Sequence, residues 1–135
     1  MAEAFSQFLD SKKAAVKSTE PVIALREGWD DYVLFAAARP RLYAAMMSRV
    51  LQGARIPAAR QAFALLIERI AAIEAQGRLA LTVVAAADVM WASANAASLL
   101  YVTAQFRDTV PASMDLLEDI RENAIGAILT PESKG

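Results

Sequence analysis

The segment 82–106 constrains this chain more than any other part of it. It reads TVVAAADVMWASANAASLLYVTAQF, without Pro or Gly, and Asp88 is the one formal charge between Arg78 and Arg107. Its high helix propensity predicts a single helix about 37 Å long. A helix that is apolar nearly all the way round cannot keep one side in water. The fold, a second subunit, a ligand cavity or a membrane must therefore cover its faces.

A transmembrane interpretation of this segment is disfavoured. Residues 89–106 are uncharged but reach only the lower edge of spanning length, which is about 18 residues. Ser, Asn, Thr and Gln interrupt the run, and no basic cluster on one flank sets an orientation. The N-terminal turns carry both acids and lysines and have no apolar signal-peptide core. We therefore expect a cytoplasmic protein without a membrane partner.

Composition predicts an all-α fold, a bundle of about five to six helices. Of the 135 residues 56% are hydrophobic and 21% charged, with only five Gly and five Pro. We expect a partial helical segment at 1–17, one domain at 18–130 and a disordered tail at 131–135. One helix is predicted to start within residues 18–21, with Ser18 or Thr19 as N-cap and Pro21 in its first turn. Others are predicted to cover about 40–52, 57–76, 82–106 and 112–129.

Residue types argue against catalysis. The chain has no His and no Cys, which excludes Cys/His zinc sites and nucleophile systems that need either residue. The adjacent Asp30 and Asp31 point in different directions on a helix, and the acids of the last helix share a polar face. The net charge of −1 calls for no nucleic acid. We expect no enzyme activity, no cofactor and no metal.

Three segments together resemble one known family. They are GWDDYVLFA at 28–36, which leads through PRLY at 40–43 to Met46 and Met47; the helix closed by GRL at 77–79; and WASANA at 91–96. Their order and spacing resemble the C-terminal effector-binding and dimerisation domain of TetR-type transcriptional regulators. The nearest subgroup has Trp, three residues, His and Gly. Trp91 matches that Trp, whereas Asn95 and Ala96 replace the His and the Gly.

The resemblance also bears on DNA binding. In the family a three-helix DNA-binding domain comes first, and residues 5–12 are similar to the end of its recognition helix. A helix-turn-helix needs its first helix to brace the second. We therefore expect DNA binding only through a helix-turn-helix that this chain lacks. Phosphate contacts by Lys12, Lys13 and Lys17 are the alternative, although a solvated helix face explains them equally simply.

The resemblance implies a cavity that binds a small apolar or amphipathic ligand, with few polar groups to orient it. The expected lining residues are Trp29, Tyr32, Phe35, Tyr43, Met47, Phe63, Leu66, Ile70, Trp91 and Asn95. An aromatic stripe at helical spacing is more often core than pocket. Asn95 is the best polar candidate, but it can equally hydrogen-bond a neighbouring helix or a second copy.

The resemblance further implies a homodimer, in which the long helix and the last helix pack against their symmetry mates. The expected interface residues are Ala94, Ala97, Ser98, Tyr101, Val102, Leu117, Ile120, Arg121, Ala124 and Ile128. The function expected from the sequence is thus an effector-sensing and dimerisation domain of a TetR-like regulator. The alternative is a stand-alone helical dimerisation module or modulator that binds neither DNA nor ligand.

Overall fold

The protein folds as an all-α bundle. A computed structural model describes residues 7, 9–10, 19–110 and 113–131. Gln7, Leu9 and Asp10 are helical, but the rest of the predicted N-terminal segment and most of the predicted tail lie outside these residues. Five complete helices follow within the described part of the chain: α1 (Pro21–Ala38), α2 (Pro40–Leu51), α3 (Pro57–Ala75), α4 (Val83–Phe106) and α5 (Met114–Ile128).

Helix starts follow local chemistry. A proline occupies the first turn of α1, α2 and α3, where its missing N–H costs nothing. Thr82 and Ser113 cap α4 and α5 through their hydroxyl oxygens. The cap of α1 corrects the prediction of Ser18 or Thr19, because the Glu20 carboxylate accepts the Ile23 N–H at 2.7 Å. Arg78 then pairs with the other Glu20 oxygen at 2.9 Å.

Helices α2, α3 and α4 are each followed by a residue with a left-handed backbone conformation and by the same pattern of hydrogen bonds. Gly53 (φ 78°) follows α2, and Gly77 (φ 69°) follows α3. After Gly77, the Arg78 N–H returns to the Ile73 carbonyl at 3.2 Å, which completes a Schellman motif. Asp108 takes the equivalent place after α4 with φ 54°, although it carries a side chain. These stops fix the lengths of all three helices.

Helix α4 lies at the centre and packs against each of the other four helices. Its buried side is dominated by small residues, among them Ala86, Ala87, Ala94 and Ala97, which let neighbouring helices approach closely. Val22, Leu25 and Trp29 of α1 contact this side together with Ile70 and Ile73 of α3. Ile125 and Ile128 of α5 close the core, and neither is more than 2% exposed.

The opposite side of α4 is uncovered and apolar. Leu99 and Leu100 are 50% and 42% exposed, and Val84 and Phe106 are also exposed. By length and composition alone α4 could cross a membrane, since its mean hydropathy is 1.4. A core helix of a globular protein meets the same criterion, and Asn95 and Ser98 of α4 are buried inside the bundle.

The burial pattern corrects the predicted dimer surface. Seven of the predicted residues face the interior of the single chain, where α4 meets α1 and α5, and are therefore unavailable to a second copy: Ala94, Ala97, Ser98, Val102, Leu117, Ala124 and Ile128. Tyr101 and Ile120 are half-buried against the same core. Arg121 is occupied by Asp30 at 2.8 Å and Glu122 at 2.9 Å. The side of α4 that was predicted to face a second copy is therefore mostly buried within the single chain.

An ion-pair network ties α5 to α1. Glu122 accepts hydrogen bonds from Arg26 on α1 and from Arg121 on α5, and Arg121 also donates to Asp30. The hydrogen bonds from Arg26, opposed by partial desolvation and helped by Arg121, hold the pKa of Glu122 below its ordinary value. The carboxylate therefore stabilises the folded state above its unfolded-state pKa, and this contribution is lost as the pH falls through its folded-state pKa.

We expect Glu122→Gln to lower the free energy of unfolding at pH 7 by roughly 0.5–1 kcal/mol, the range of partly exposed ion pairs. The difference from wild type should shrink as the pH falls below the ordinary carboxyl pKa, and it should vanish only below the lowered folded-state pKa of Glu122, where the wild-type carboxyl is also neutral. Urea unfolding between pH 3 and 8 measures this. Glu118→Gln is the control, because Glu118 lies on the same helix and makes no ion pair among the described residues. Parallel pH profiles for the two variants would contradict the prediction.

Candidate ligand-binding cavity

Helices α1, α2, α3 and α4 surround a cavity of about 90 Å³. Its lining is almost wholly apolar, and aromatic and methionine side chains dominate it. The described lining residues are Leu25, Gly28, Trp29, Tyr32, Tyr43, Met46, Met47, Val50, Ala59, Ala62, Phe63, Leu66, Arg69, Met90, Trp91 and Ala94. The cavity lies away from α5, so the half of the bundle stabilised by the α1–α5 ion pairs is separate from it.

The structure brings seven of the ten predicted ligand residues to this cavity: Trp29, Tyr32, Tyr43, Met47, Phe63, Leu66 and Trp91. Phe35 packs instead with Leu9, Met46 and Ala62 in a neighbouring apolar cluster. Ile70 is fully buried in the main core between α3 and α4. Asn95 lies next to the cavity but does not line it. Contrary to the prediction, Phe35 and Ile70 are core residues, and Asn95 holds the two tyrosines of the cavity in place.

Asn95 connects α4 to two tyrosines of the cavity. Its Oδ1 accepts the Tyr32 hydroxyl at 2.5 Å and the Tyr43 hydroxyl at 2.6 Å, while its Nδ2 donates to the Trp91 carbonyl at 2.9 Å. The sequence left open whether Asn95 contacts a ligand, a neighbouring helix or a second copy. In the structure it contacts the two neighbouring helices that carry Tyr32 and Tyr43. The amide oxygen thus accepts hydrogen bonds from two buried tyrosine hydroxyls.

Burial controls the protonation of both tyrosines. Desolvation raises the pKa of Tyr43 to about 12, and it raises the pKa of Tyr32 further. Both phenols are therefore neutral near pH 7, and each donates a hydrogen bond to Asn95 Oδ1. The rings meet edge to face with centroids 6.3 Å apart. The pair forms a rigid, uncharged side of the cavity.

A second hydrogen-bond chain orients Trp29. Its indole Nε1–H donates to the Ser93 hydroxyl at 2.9 Å, and that hydroxyl donates to the Met90 carbonyl at 2.9 Å. The polar atom of Trp29 is thus satisfied by α4, and its ring is free to pack on an apolar ligand. Trp91, also on α4, is 39% exposed and occupies the outer edge of the cavity.

Arg69 is the one formally charged residue among the described lining residues. Burial lowers the pKa of its guanidinium, an effect that the carboxylates of Asp31, Glu68 and Glu27 oppose. Arginine nevertheless keeps its charge at neutral pH, because its ordinary pKa is far above 7. This end of the cavity is therefore polar and surrounded by acids.

Sequence reasoning missed the small residues that create the space. Gly28, Ala59, Ala62 and Ala94 line the cavity, and Ala94 had been assigned to the dimer surface. The sequence feature that indicates such a space is the pair Ala59 and Ala62, which helical spacing places on the same face of α3 as Phe63 and Leu66. Small side chains at helical spacing predict either close packing or a void, and only the position of the facing helix distinguishes the two.

The arrangement of side chains around the cavity suits the binding of an apolar ligand. Its tyrosine hydroxyls are committed to an amide, its indole N–H is committed to a serine, and its lining includes no carboxylate among the described residues. Across the described ranges, no group of three acidic residues could hold a metal ion. Comparison of the chain with protein-family models, curated proteins and solved structures finds no match.

We expect Asn95→Ala to lower the free energy of unfolding by about 2–4 kcal/mol, because two buried tyrosine hydroxyls lose their acceptor. Asn123→Ala is the matched control: it makes the same change at an exposed site of α5 and should stay within about 0.5 kcal/mol of wild type. Urea unfolding at pH 7 measures both variants. Equal costs for the two would contradict the support role of Asn95.

Proposed function

We propose that the protein is a ligand-binding and dimerisation domain of the TetR-like type, and that it takes a compact apolar or amphipathic molecule into the cavity. The observation that carries the proposal is an apolar cavity in which the polar atoms of Trp29, Tyr32 and Tyr43 are already hydrogen-bonded within the protein. A ligand there gains by burying apolar surface, at about 25 cal/mol per Å². The resemblance of segments 28–47, 77–79 and 91–96 to that family supports the same conclusion.

Cavity size limits the ligand. At about 90 Å³ the space is smaller than the ~150 Å³ engineered cavity that holds one benzene. Drug-sized sites enclose roughly 300–1,000 Å³. The buried part of the ligand is therefore a short alkyl chain or a small ring, and anything larger requires movement of the lining. Met46, Met47 and Met90 allow such movement, since unbranched thioether side chains repack easily.

Dimerisation uses the outer side of α4 in this proposal. Leu99 and Leu100 are exposed there, and the Tyr101 hydroxyl of α4 contacts the Met114 sulfur in the first turn of α5 at 3.3 Å. Met114 and Leu116 are themselves exposed. A twofold-related copy would cover this apolar surface. Ligand and second copy would then contact opposite sides of one helix, which is a direct route for coupling the two binding events.

The competing function is a dimerisation module with no ligand. The fully buried core beside the cavity, which includes Ile70, Ile73 and Ile128, is compatible with it. The two functions differ in one measurable respect. A ligand that binds the folded state raises thermal stability by an amount that grows with the logarithm of its concentration above its dissociation constant, whereas a compound that does not bind leaves stability unchanged.

We expect small apolar probes such as toluene and indole to raise the melting temperature of the wild-type protein. At 100 times its dissociation constant, a ligand adds about 2.7 kcal/mol to stability. Ala62→Leu fills the cavity and should abolish the shift, whereas Ala72→Leu, on the exposed side of the same helix, should retain it. Thermal unfolding measures the effect. The ligand-binding function fails if no probe shifts the wild type or if both variants respond alike.

We expect the wild-type protein to be a dimer at micromolar concentration and Leu99→Glu to be a monomer, because a charge in the buried centre of an interface is strongly unfavourable. Leu34→Glu, at an equally exposed apolar site on α1, should remain dimeric. Light scattering coupled to size-exclusion chromatography gives the masses. A monomeric wild type, or dissociation by both variants, would refute an α4 interface.

A further inference from the structure

An open groove lies outside the cavity, along the junction of α3 and α4. It encloses about 850 Å³. Val50, Ala59, Phe63 and Trp91 line both the groove and the cavity, and they form the boundary between the two spaces. A ligand too long for 90 Å³ can therefore place one end in the cavity and the other in the groove if these side chains move apart.

Charges in the groove are separated. Arg55 and Arg60 lie near the start of α3, whereas Glu68 and Asp88 lie toward the other end. Arg60 and Glu68 are eight positions apart on α3, a distance of about 12 Å along the helix. Neither Arg55 nor Arg60 makes an ion pair within the described part of the chain, and both are exposed. They can turn toward an anion at little cost.

The stretch of sequence that contains Arg55 and Arg60 is one-sidedly basic. Residues 32–67 contain five arginines and no Asp or Glu: Arg39, Arg41, Arg49, Arg55 and Arg60. Two of these guanidinium groups stack on aromatic rings, Arg39 on Phe35 and Arg41 on Phe106. The chain as a whole has a net charge of −1, so this positive region is compensated elsewhere. Such a local excess attracts anions and raises their concentration nearby.

We propose that the ligand is an anionic amphiphile, with its apolar end in the cavity and its carboxylate or similar head group in the groove at Arg55 and Arg60. This inference rests on the proposed ligand-binding function and names its ligand class. Val50 and Ala59 line both the cavity and the groove, and Ala59 is next to Arg60 in the chain. Guanidinium groups match a carboxylate in geometry as well as in charge.

The test compares octanoate with 1-octanol, which share an eight-carbon chain and differ in charge. Binding to the full chain at pH 7.5 is followed by calorimetry and by fluorescence of Trp29 and Trp91, which both line the cavity. We expect octanoate to bind at least tenfold more tightly than octanol. The Arg55→Gln/Arg60→Gln double variant should remove that advantage and leave octanol binding unchanged.

Two controls isolate the charge of the groove. Arg49→Gln removes an exposed arginine of α2 that does not line the groove and should bind octanoate like wild type. Arg55→Lys/Arg60→Lys keeps the charge and should retain at least part of the advantage. Circular dichroism checks that each variant is folded.

The possible results separate the two proposals. If octanol binds but octanoate binds no more tightly, or if Arg49→Gln weakens octanoate as much as the double variant does, the anionic head group is refuted and the apolar cavity stands. If neither compound binds and toluene and indole also fail to stabilise the protein, the proposed function itself is refuted.

Discussion

Burial of one side of α4 is the constraint on which the rest of the structure depends. The helix is apolar all round, so the remaining helices are positioned by their contacts with it. Small residues on its inner side allow α1 and α5 to approach closely, and the Arg26–Glu122 and Arg121–Asp30 pairs then connect those two helices. The outer side, with Leu99 and Leu100, stays uncovered in the single chain. A partner surface is the simplest way to complete the burial.

The polar side chains of α4 make hydrogen bonds inside the bundle. Asn95 accepts hydrogen bonds from two tyrosines, Ser93 accepts one from Trp29, and Ser98 donates to the Ala94 carbonyl. The bonds of Trp29, Tyr32 and Tyr43 satisfy the polar atoms of these cavity side chains, which therefore need no hydrogen bond from water or a ligand. The result is a space that is apolar although many of its side chains are amphipathic. Helix α4 therefore sets both the position of the cavity and its chemistry.

The ion pairs and the proposed ligand site lie in different parts of the molecule. The acids of α1 and α5 are used in ion pairs that hold the bundle together, and Glu20 and Arg78 add a pair near the start of α1. The arginines of α2 and of the start of α3 have no such partners among the described residues, except for two that stack on aromatic rings. Substitutions in the groove should therefore change ligand binding with little effect on folding, and substitutions in the α1–α5 network should do the opposite.

The sequence by itself determined the helical class and nearly all helix boundaries, because Pro21, Pro40, Pro57, Gly53 and Gly77 act through local backbone geometry. Most of the aromatic residues at the cavity were expected from the resemblance, because helical spacing alone does not distinguish a pocket from a filled core. Only the tertiary structure decided which side of α4 is buried: its pattern is apolar in every direction, so no periodicity distinguishes inside from outside. For that reason seven of the ten predicted interface residues are buried in the single chain, and one of them, Ala94, lines the cavity. The same limit applies to the void itself, which exists because small side chains from different helices happen to face one another.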